Sequence, residues 1–254
     1  MSRPLPFVLA ASDLGPMIVS RLDFAQVPGG FYGVGYQILH TGTFDPHELA
    51  LIKGVVDDCR SRNGDGVCAL DCGANIGAHT LTLGRHMLEW GHVLAFEAQE
   101  RLFYALAGNI ALNNLFNVRA SLAAVGSHAG TIQVPQPNYL RSGSLGSLEL
   151  RHTPRTEFIG QPIDYNPSAL TEVPLISIDS LELPRLDFAK IDVEGMELEI
   201  LKGAKQTIAR CHPTLLIEWI KTGKDPIWDF LAPLGYQVCE AGPNVLCTAN
   251  SCAG

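Results

Sequence analysis

The amino-acid sequence predicts an α/β fold built on a mostly parallel sheet with helices on both faces. Short apolar runs alternate with longer segments whose apolar residues recur at helical spacing, which is typical of a parallel sheet. Two of the apolar runs end in an acid, at Asp71 and at Glu97, and Gly73 and Gly77 follow the first of them. In a doubly wound sheet such residues lie at the carboxyl ends of neighbouring strands, where ligands bind.

The strands of this sheet are expected where apolar runs are too short for helices. We predict them at residues 67–70, 92–97, 118–125, 186–193 and 213–219. The helices that follow them are expected at residues 78–89, 101–113, 195–210 and 227–234. Two last apolar runs flank an Ala-Gly-Pro turn and predict a C-terminal antiparallel hairpin, at 236–240 and 244–247. Residues 173–178 are strand-like, and residues 130–134 predict an added strand paired with the end of the third main strand.

The predicted domain spans residues 45–254 and begins with a helix. Asp45 is a favourable N-cap, Pro46 suits the first helical position, and apolar residues recur at helical spacing to about Arg60. Further along, residues 135–170 contain five prolines and a tip rich in serine and glycine. A loop of this length in a compact domain is usually functional or mobile. We interpret it as a lid or substrate-selecting loop, with a disordered excursion as the alternative.

Residues 1–44 are expected to form an N-terminal arm and a strand. Residues 1–30 are rich in proline and glycine and show no clear period, which predicts an arm laid over the domain or partly mobile. Residues 31–39 read as a strand interrupted by glycines, which could fold over the mouth of the site.

Composition limits the function classes. At 254 residues and 46% hydrophobic residues, the chain predicts one well-filled core. The formal net charge is −8 and no run of lysines or arginines occurs, so a nucleic acid is not an expected partner and neutral or small substrates are favoured. Seven scattered cysteines without a Cys-x-x-Cys pair indicate reduced thiols in a cytoplasmic protein. The apolar run at residues 6–11 is too short for a membrane span.

The stretch from Val67 to Thr80 predicts a nucleotide cradle. Glycines at 73 and 77 allow a tight turn and a close backbone approach, and the following helix offers unpaired N–H groups. The carboxylate of Asp71 would repel a pyrophosphate but would accept hydrogen bonds from an ammonium group. The next strand ends at Glu97, where a doubly wound fold places the acid that binds ribose hydroxyls. The two acids together favour S-adenosylmethionine (SAM) over NAD; the alternative is a helix N-cap at Asp71 and a solvated strand end at Glu97.

Three motifs together resemble the FkbM-like family of SAM-dependent methyltransferases. They are Asp-Cys-Gly-Ala-Asn-Ile-Gly at 71–77, Phe-Glu at 96–97 and Lys-Ile-Asp-Val-Glu-Gly-Met-Glu at 190–197. The resemblance covers roughly residues 45–220. It implies a class I SAM methyltransferase (Rossmann-like) fold with a seven-stranded sheet, and usually O-methylation of a hydroxyl on a sugar or natural product.

The resemblance also implies site residues, position by position. The implied cofactor-binding residues are Asp71, Gly73, Ala74, Asn75, Gly77, Glu97, Ala98, Ala124 and Val125. The family usually has proline after the ribose-binding acid, and Ala98 departs from that pattern. Asp192 and Glu194 match the acidic signature beside the transferable methyl group.

Three acids are the candidate catalytic residues: Asp192, Glu194 and Glu218. Methyl transfer from a sulfonium needs an aligned hydroxyl and a group that takes its proton. Asp192 and Glu218 could be that base or could hold a divalent metal. We favour the interpretation without a metal, because Glu218 is followed by Trp219 and not by the adjacent acid and amide pair that metal-dependent methyltransferases carry there. Glu218 could instead be a solvated strand end, and Glu194 an acid favoured by the helix dipole. Lys190 is expected to pair with one of the acids, and His79 has no motif support.

Three functions therefore stay open at this point. The leading one is a SAM-dependent methyltransferase acting on a small-molecule hydroxyl. The others are RNA ribose 2′-O-methylation, which the acidic net charge opposes, and a SAM-binding module without catalysis.

Overall fold

The computed structural model describes residues 5–249, and Cys252 lies outside them. The strands are β1 (Phe7–Ser12), β2 (Gly15–Ser20), β3 (Ala25–Val27), β4 (Gly30–Tyr32), β5 (Val67–Cys72), β6 (Gly91–Glu97), β7 (Val118–Leu122), β8 (Ala124–Val125), β9 (Gly130–Pro135), β10 (Leu170–Ile176), β11 (Phe188–Ile191), β12 (Thr214–Glu218), β13 (Tyr236–Ala241) and β14 (Asn244–Ala249). The helices are α1 (Val34–Thr41), α2 (Pro46–Asn63), α3 (Ala78–His86), α4 (Glu100–Leu112), α5 (Glu197–Gly203), α6 (Lys205–Cys211) and α7 (Lys224–Leu231).

The main sheet has seven strands in the order β13-β14-β12-β11-β5-β6-β7. The five strands from β12 to β7 are parallel, and the hairpin β13–β14 adds the two antiparallel strands at one edge. Every residue of β5 is buried, as expected for a central strand covered on both faces. The predicted α/β fold and the C-terminal hairpin are confirmed.

The chain N-terminal to α2 packs against the main sheet's helices. Asn109 of α4 makes the connection: its Oδ1 accepts from Ile18 N at 2.5 Å, and its Nδ2 donates to the carbonyls of Ile18 and Ile76. Met17 and Val19 of β2 are fully buried in the core. The hairpin β1–β2 is therefore held beside the glycine turn that contains Ile76.

Of two predicted elements in the N-terminal half, one differs from the structure and one agrees with it. The strand predicted at 31–39 is wrong, because β4 ends at Tyr32 and helix α1 follows; its buried residues Val34 and Ile38 have helical spacing. The helix predicted from Asp45 is confirmed as α2, and the Asp45 side chain accepts from Glu48 N at 3.2 Å as an N-cap.

The third predicted strand, at 118–125, is divided between two sheets. Its first part is β7 of the main sheet, whereas β8 belongs to a separate sheet in the order β8-β10-β9. The strand predicted at 130–134 is β9, but it pairs with β10 and not with β8, so that predicted pairing is wrong. The helix predicted at 195–210 is likewise divided, at Ala204, into α5 and α6.

Residues 136–166 contain a single 3-10 turn, at Leu145–Ser147, and the remainder is irregular. Within residues 5–249, no helix has both the length and the apolar composition required to cross a membrane.

The close approach of the glycine turn to β11 gives a stability prediction. Gly73 has φ +86°, and a Cβ there would lie 1.8 Å from the carbonyl oxygen of Asp192. We expect Gly73→Ala to lower the free energy of unfolding by about 2 kcal/mol or more, because left-handed backbone and overpacking each cost energy. Gly54→Ala is the matched control on the exposed side of α2, where a Cβ meets nothing within 4 Å and alanine favours the helix. Urea unfolding of both variants checks this, and equal stability would contradict it.

Candidate active site

Two adjoining pockets open at the carboxyl ends of the central strands β5, β6 and β11. With the open solvent at their mouths included, the first pocket encloses about 520 Å³ and the second about 540 Å³. Six predicted cofactor-binding residues line the first pocket: Gly73, Asn75, Glu97, Ala98, Ala124 and Val125. Residues that line both pockets are Gly73, Asn75, Gly146, Asp192 and Glu194. The two pockets therefore meet over the glycine turn and the acids that follow β11.

Glu97 lies buried at the floor of the first pocket, at the end of β6. Its Oε2 accepts from Asn75 N at 2.8 Å, and its Oε1 accepts from Gln99 N at 2.7 Å. Burial raises the pKa of Glu97 to about 7, although backbone N–H groups of Gln99, Asn75 and Ala98 act in the opposite direction. Each carboxylate oxygen keeps a further lone pair, so this side chain can accept two more hydrogen bonds.

Three other predicted residues lie outside the first pocket. Asp71 is fully buried beneath the turn and accepts from Thr80 Oγ1 at 2.6 Å, while its Oδ1 has no hydrogen-bond partner among the described residues. Gly77 has φ +97°, and a Cβ there would lie 2.8 Å from Leu106 Cδ1 of α4, so the turn packs closely against that helix. Ala74 lines the second pocket.

The loop that follows β11 is held by Glu197, a residue that the sequence reading did not single out. Glu194 and Gly195 both have positive φ angles, of 54° and 100°. The buried Glu197 carboxylate spans this turn: its Oε1 accepts from Val193 N at 3.2 Å and from Gly195 N at 3.0 Å, and Thr222 Oγ1 donates to its Oε2. These bonds fix the backbone that presents Glu194 to both pockets.

The three predicted catalytic acids are brought together. One carboxylate oxygen from each of Asp192, Glu194 and Glu218 lies within 4.8 Å of the others. Burial, together with the Asp192 carboxylate, raises the pKa of both Glu194 and Glu218. Lys221 Nζ lies 3.7 Å from Glu194, and Glu218 Oε2 is buried without a partner among the described residues. Glu194 and Glu218 therefore hold a proton more tightly than isolated carboxylates do.

Lys190 is a buried ammonium at the centre of these acids. Its Nζ lies 2.7 Å from Asp192 Oδ2 and 3.7 Å from Glu48 Oε1, and its side chain is 1% exposed. Burial by itself would lower the pKa of Lys190, but the carboxylates of Asp192, Glu48 and Asp71 raise it, so the ammonium stays charged. The predicted pairing of Lys190 with an acid is confirmed. Glu48 also belongs to this group of charged side chains, although the sequence analysis did not single it out. The sequence signal for its inward position was its place one helical turn before Ile52, which is buried in α2.

His79 lines the second pocket and contacts the same glutamate. His79 Nε2 lies 2.9 Å from Glu48 Oε1, and Asn244 Nδ2 donates to Glu48 Oε2 at 2.9 Å. Burial tends to raise the pKa of Glu48, but His79, Lys190 and Asn244 outweigh it and lower that pKa to about 2. Phe44 meets the imidazole edge to face, with ring centroids 5.8 Å apart.

Residues from outside the main sheet close the second pocket. Tyr32 of β4 lies opposite the acids, and burial together with Asp192, Glu194 and Glu218 raises its pKa. From the irregular segment at 135–170, Ser144, Gly146 and Ser147 contribute to the wall.

Two side chains hold that segment in place. Gln99 Nε2 donates to Leu145 O at 2.8 Å, and Leu145 N donates to Asp23 Oδ1 at 2.8 Å. Asp23 also accepts from Gly35 N at 3.0 Å through Oδ2. The buried Asp23 carboxylate thus joins the wall segment to the first turn of α1, which neither residue's sequence context indicated.

Comparison with known proteins gives a family and a relative. A family profile described as the methyltransferase FkbM domain matches residues 71–238. The methyltransferase sdnD of Sordaria araneosa is 30% identical over 178 residues, which are 62% of this chain and 68% of that protein.

Solved structures are similar at lower identity. Methyltransferase FkbM from Methylobacillus flagellatus KT aligns with 20% identity and a TM-score of 0.49, over 72% of this chain and 44% of that one. Monomeric WbdD aligns with 11% identity and a TM-score of 0.51, over 91% of this chain and 46% of that one. The chain spans less than half the length of either protein, and the likeness to WbdD concerns the fold alone.

The pKa of Asp23 gives a pH prediction for the wall segment. Burial raises that pKa from 3.8 to about 6, so the folded protein binds the Asp23 proton more tightly than the unfolded chain. The ionisation of Asp23 therefore lowers the free energy of unfolding as pH rises from about 4 to about 6. Asp23→Asn does not titrate, so its free energy of unfolding minus that of the wild type should rise by about 3 kcal/mol over this range. Urea titrations at several pH values measure the difference, and a difference independent of pH would contradict the prediction.

Proposed function

The chain belongs to the FkbM methyltransferase family, and on that premise we propose that it transfers the methyl group of SAM to a hydroxyl oxygen of a small acceptor. A sugar or a natural product is the proposed acceptor class. The observation that carries the proposal is the meeting of two pockets over Asp192 and Glu194. A methyltransferase needs a donor and an acceptor in contact, and adjoining pockets with a shared floor suit that requirement.

The first pocket fits SAM. Glu97, fixed by backbone N–H groups, has free lone pairs for the two ribose hydroxyls. Ala98, Ala124 and Val125 line this pocket together with Met196 and give the apolar surface that a purine requires. SAM supplies a methyl group already activated by its sulfonium charge, so the protein needs no further electrophile.

The second pocket suits a hydroxyl-bearing acceptor. Asp192, Glu194 and Glu218 offer carboxylate oxygens that accept hydrogen bonds from hydroxyl groups and attract positive charge. Two of these acids have raised pKa values, so a protonated member can also donate a hydrogen bond. Tyr32 and Phe44 supply aromatic surface for the apolar face of a ring. The proposed roles are to position the acceptor oxygen and to exclude water.

The same charges oppose RNA as the acceptor. Three acids in the second pocket would repel phosphates, in line with the net charge of −8.

The acid cluster could also hold a divalent cation, and we favour transfer without a metal because Lys190 already neutralises Asp192. The cysteines within residues 5–249 are free thiols, which supports a cytoplasmic location.

Glu97 gives the test of cofactor binding. We expect Glu97→Ala to weaken SAM binding at least tenfold, because two hydrogen bonds to a carboxylate, each worth about 1.5–3 kcal/mol, are lost. In the wild type, affinity should also fall as pH drops below about 7, where Glu97 gains a proton. Isothermal titration measures both effects. Glu172→Ala, at an exposed position of β10, is the matched control, and an unchanged dissociation constant in folded Glu97→Ala would exclude this role.

Turnover on acceptor pools tests the reaction itself. We expect methylation of sugars or natural products that carry free hydroxyls, no methylation of RNA, and full activity after treatment with EDTA. Mass spectrometry of products from labelled SAM identifies the methylated atom. SAM binding without turnover on any pool would favour a non-catalytic module, and loss of activity in EDTA that Mg²⁺ restores would assign the acid cluster to a metal.

A further inference from the structure

His79 and Glu48 form a pair to which the sequence analysis assigned no catalytic role. His79 is 8% exposed and lines the second pocket from the first turn of α3, with Nε2 2.9 Å from Glu48 Oε1. The N–H direction is oblique, so the contact is close without being a straight hydrogen bond. Such contacts between a base and its carboxylate often straighten when substrate binds.

The charge of Glu48 decides which imidazole nitrogen has the lone pair. With a pKa of about 2, Glu48 is ionised at neutral pH and can only accept hydrogen bonds. The nitrogen next to it, Nε2, must therefore carry the proton. In the neutral ring the lone pair is then on Nδ1, which has no hydrogen-bond partner among the residues that the structure describes. A carboxylate on one nitrogen and a free lone pair on the other is the arrangement of a general base.

The neighbouring carboxylates are less suited to taking a proton. Asp192 is paired with the Lys190 ammonium at 2.7 Å. Glu194 and Glu218 have raised pKa values, so a smaller fraction of each is ionised at neutral pH than of an ordinary carboxyl group. Their hydrogen-bonding role in the second pocket does not require them to change protonation state.

We propose that His79 is the general base that takes the acceptor's hydroxyl proton, with Glu48 as the positioning residue that fixes its tautomer. This inference rests on the proposed O-methylation. The acceptor oxygen forms its bond to the methyl carbon as the carbon–sulfur bond breaks, and that bond's electron pair stays on sulfur. The hydroxyl proton passes to His79 Nδ1, and the imidazolium later releases it to solvent.

The pH dependence of this step involves the titratable and charged groups around His79. Those groups are Glu48 of α2, Lys190 of β11, Tyr32 of β4, Asp192 and Glu194 of the loop after β11, and Glu218 of β12. Because Glu48 is ionised and in contact with the ring, it stabilises the imidazolium that forms.

Kinetics of three variants test the proposal. We expect His79→Ala to lower kcat at least a hundredfold while the dissociation constant for SAM changes less than twofold. Added imidazole should restore part of that rate, which a purely structural role would not allow. Glu48→Gln should lower kcat less and shift the acid limb of the pH–rate profile. His86→Ala is the matched control: His86 lies in the last turn of the same helix, contacts Asp57, and is outside both pockets.

The outcomes that overturn the proposal are separate from those that overturn the function. A His79→Ala enzyme with the kcat and pH profile of the wild type, beside an inactive Glu218→Gln enzyme, would assign the base to the carboxylates. Nitrogen-15 spectra of the imidazole at pH 9 report the tautomer without any acceptor, and a proton on Nδ1 of His79 would overturn the proposal even if no acceptor is methylated. Failure of the wild type on every hydroxyl pool would overturn the proposed function instead.

Discussion

The buried ammonium of Lys190 is the charge on which the candidate site depends. Carboxylates from three separate elements face it: Asp71 from β5, Asp192 from the loop after β11 and Glu48 from α2. Without a cation between them these groups would repel one another in a poorly solvated place. Removing one partner of a buried ionic group costs about 3–5 kcal/mol because the remaining charge is left uncompensated. The position of Asp192, and with it the shared floor of both pockets, therefore follows from this one lysine.

Much of the fold could be predicted from the sequence because its signals are local. Short apolar runs, glycine turns and an Asp-Pro helix start determined the main strands, α2 and the C-terminal hairpin. Glu97, Asp192 and Glu218 were found for a related reason: parallel strands place their carboxyl ends together, so acids at strand ends share one edge. Ala124 and Val125 were implied by the family resemblance alone, and they reach the first pocket from β8, outside the main sheet.

The remaining features depend on tertiary packing, which a single sequence does not show. Glu48 and His79 lie on different helices, and only the packing of α2 against α3 and the sheet brings them to Lys190. Asp23 reaches Leu145 across 122 positions of the chain. The division of residues 118–125 between two sheets has the same origin, because β10 arrives from beyond the irregular segment to pair with β8. Asp71 matched the motif, and tertiary packing places its buried carboxylate near the Lys190 ammonium, which the motif did not show.

The two pockets differ in the parts of the chain that form them. Strand ends and the turns after them make the floor, whereas Tyr32, Phe44, Ser144 and Ser147 of the second pocket come from segments outside the main sheet. Loop segments tolerate substitution and changes of length better than buried strands do. Over evolutionary time the outer wall can therefore be rebuilt for a new molecule while the donor side is inherited unchanged, so closely related sequences with this sheet need not share an acceptor.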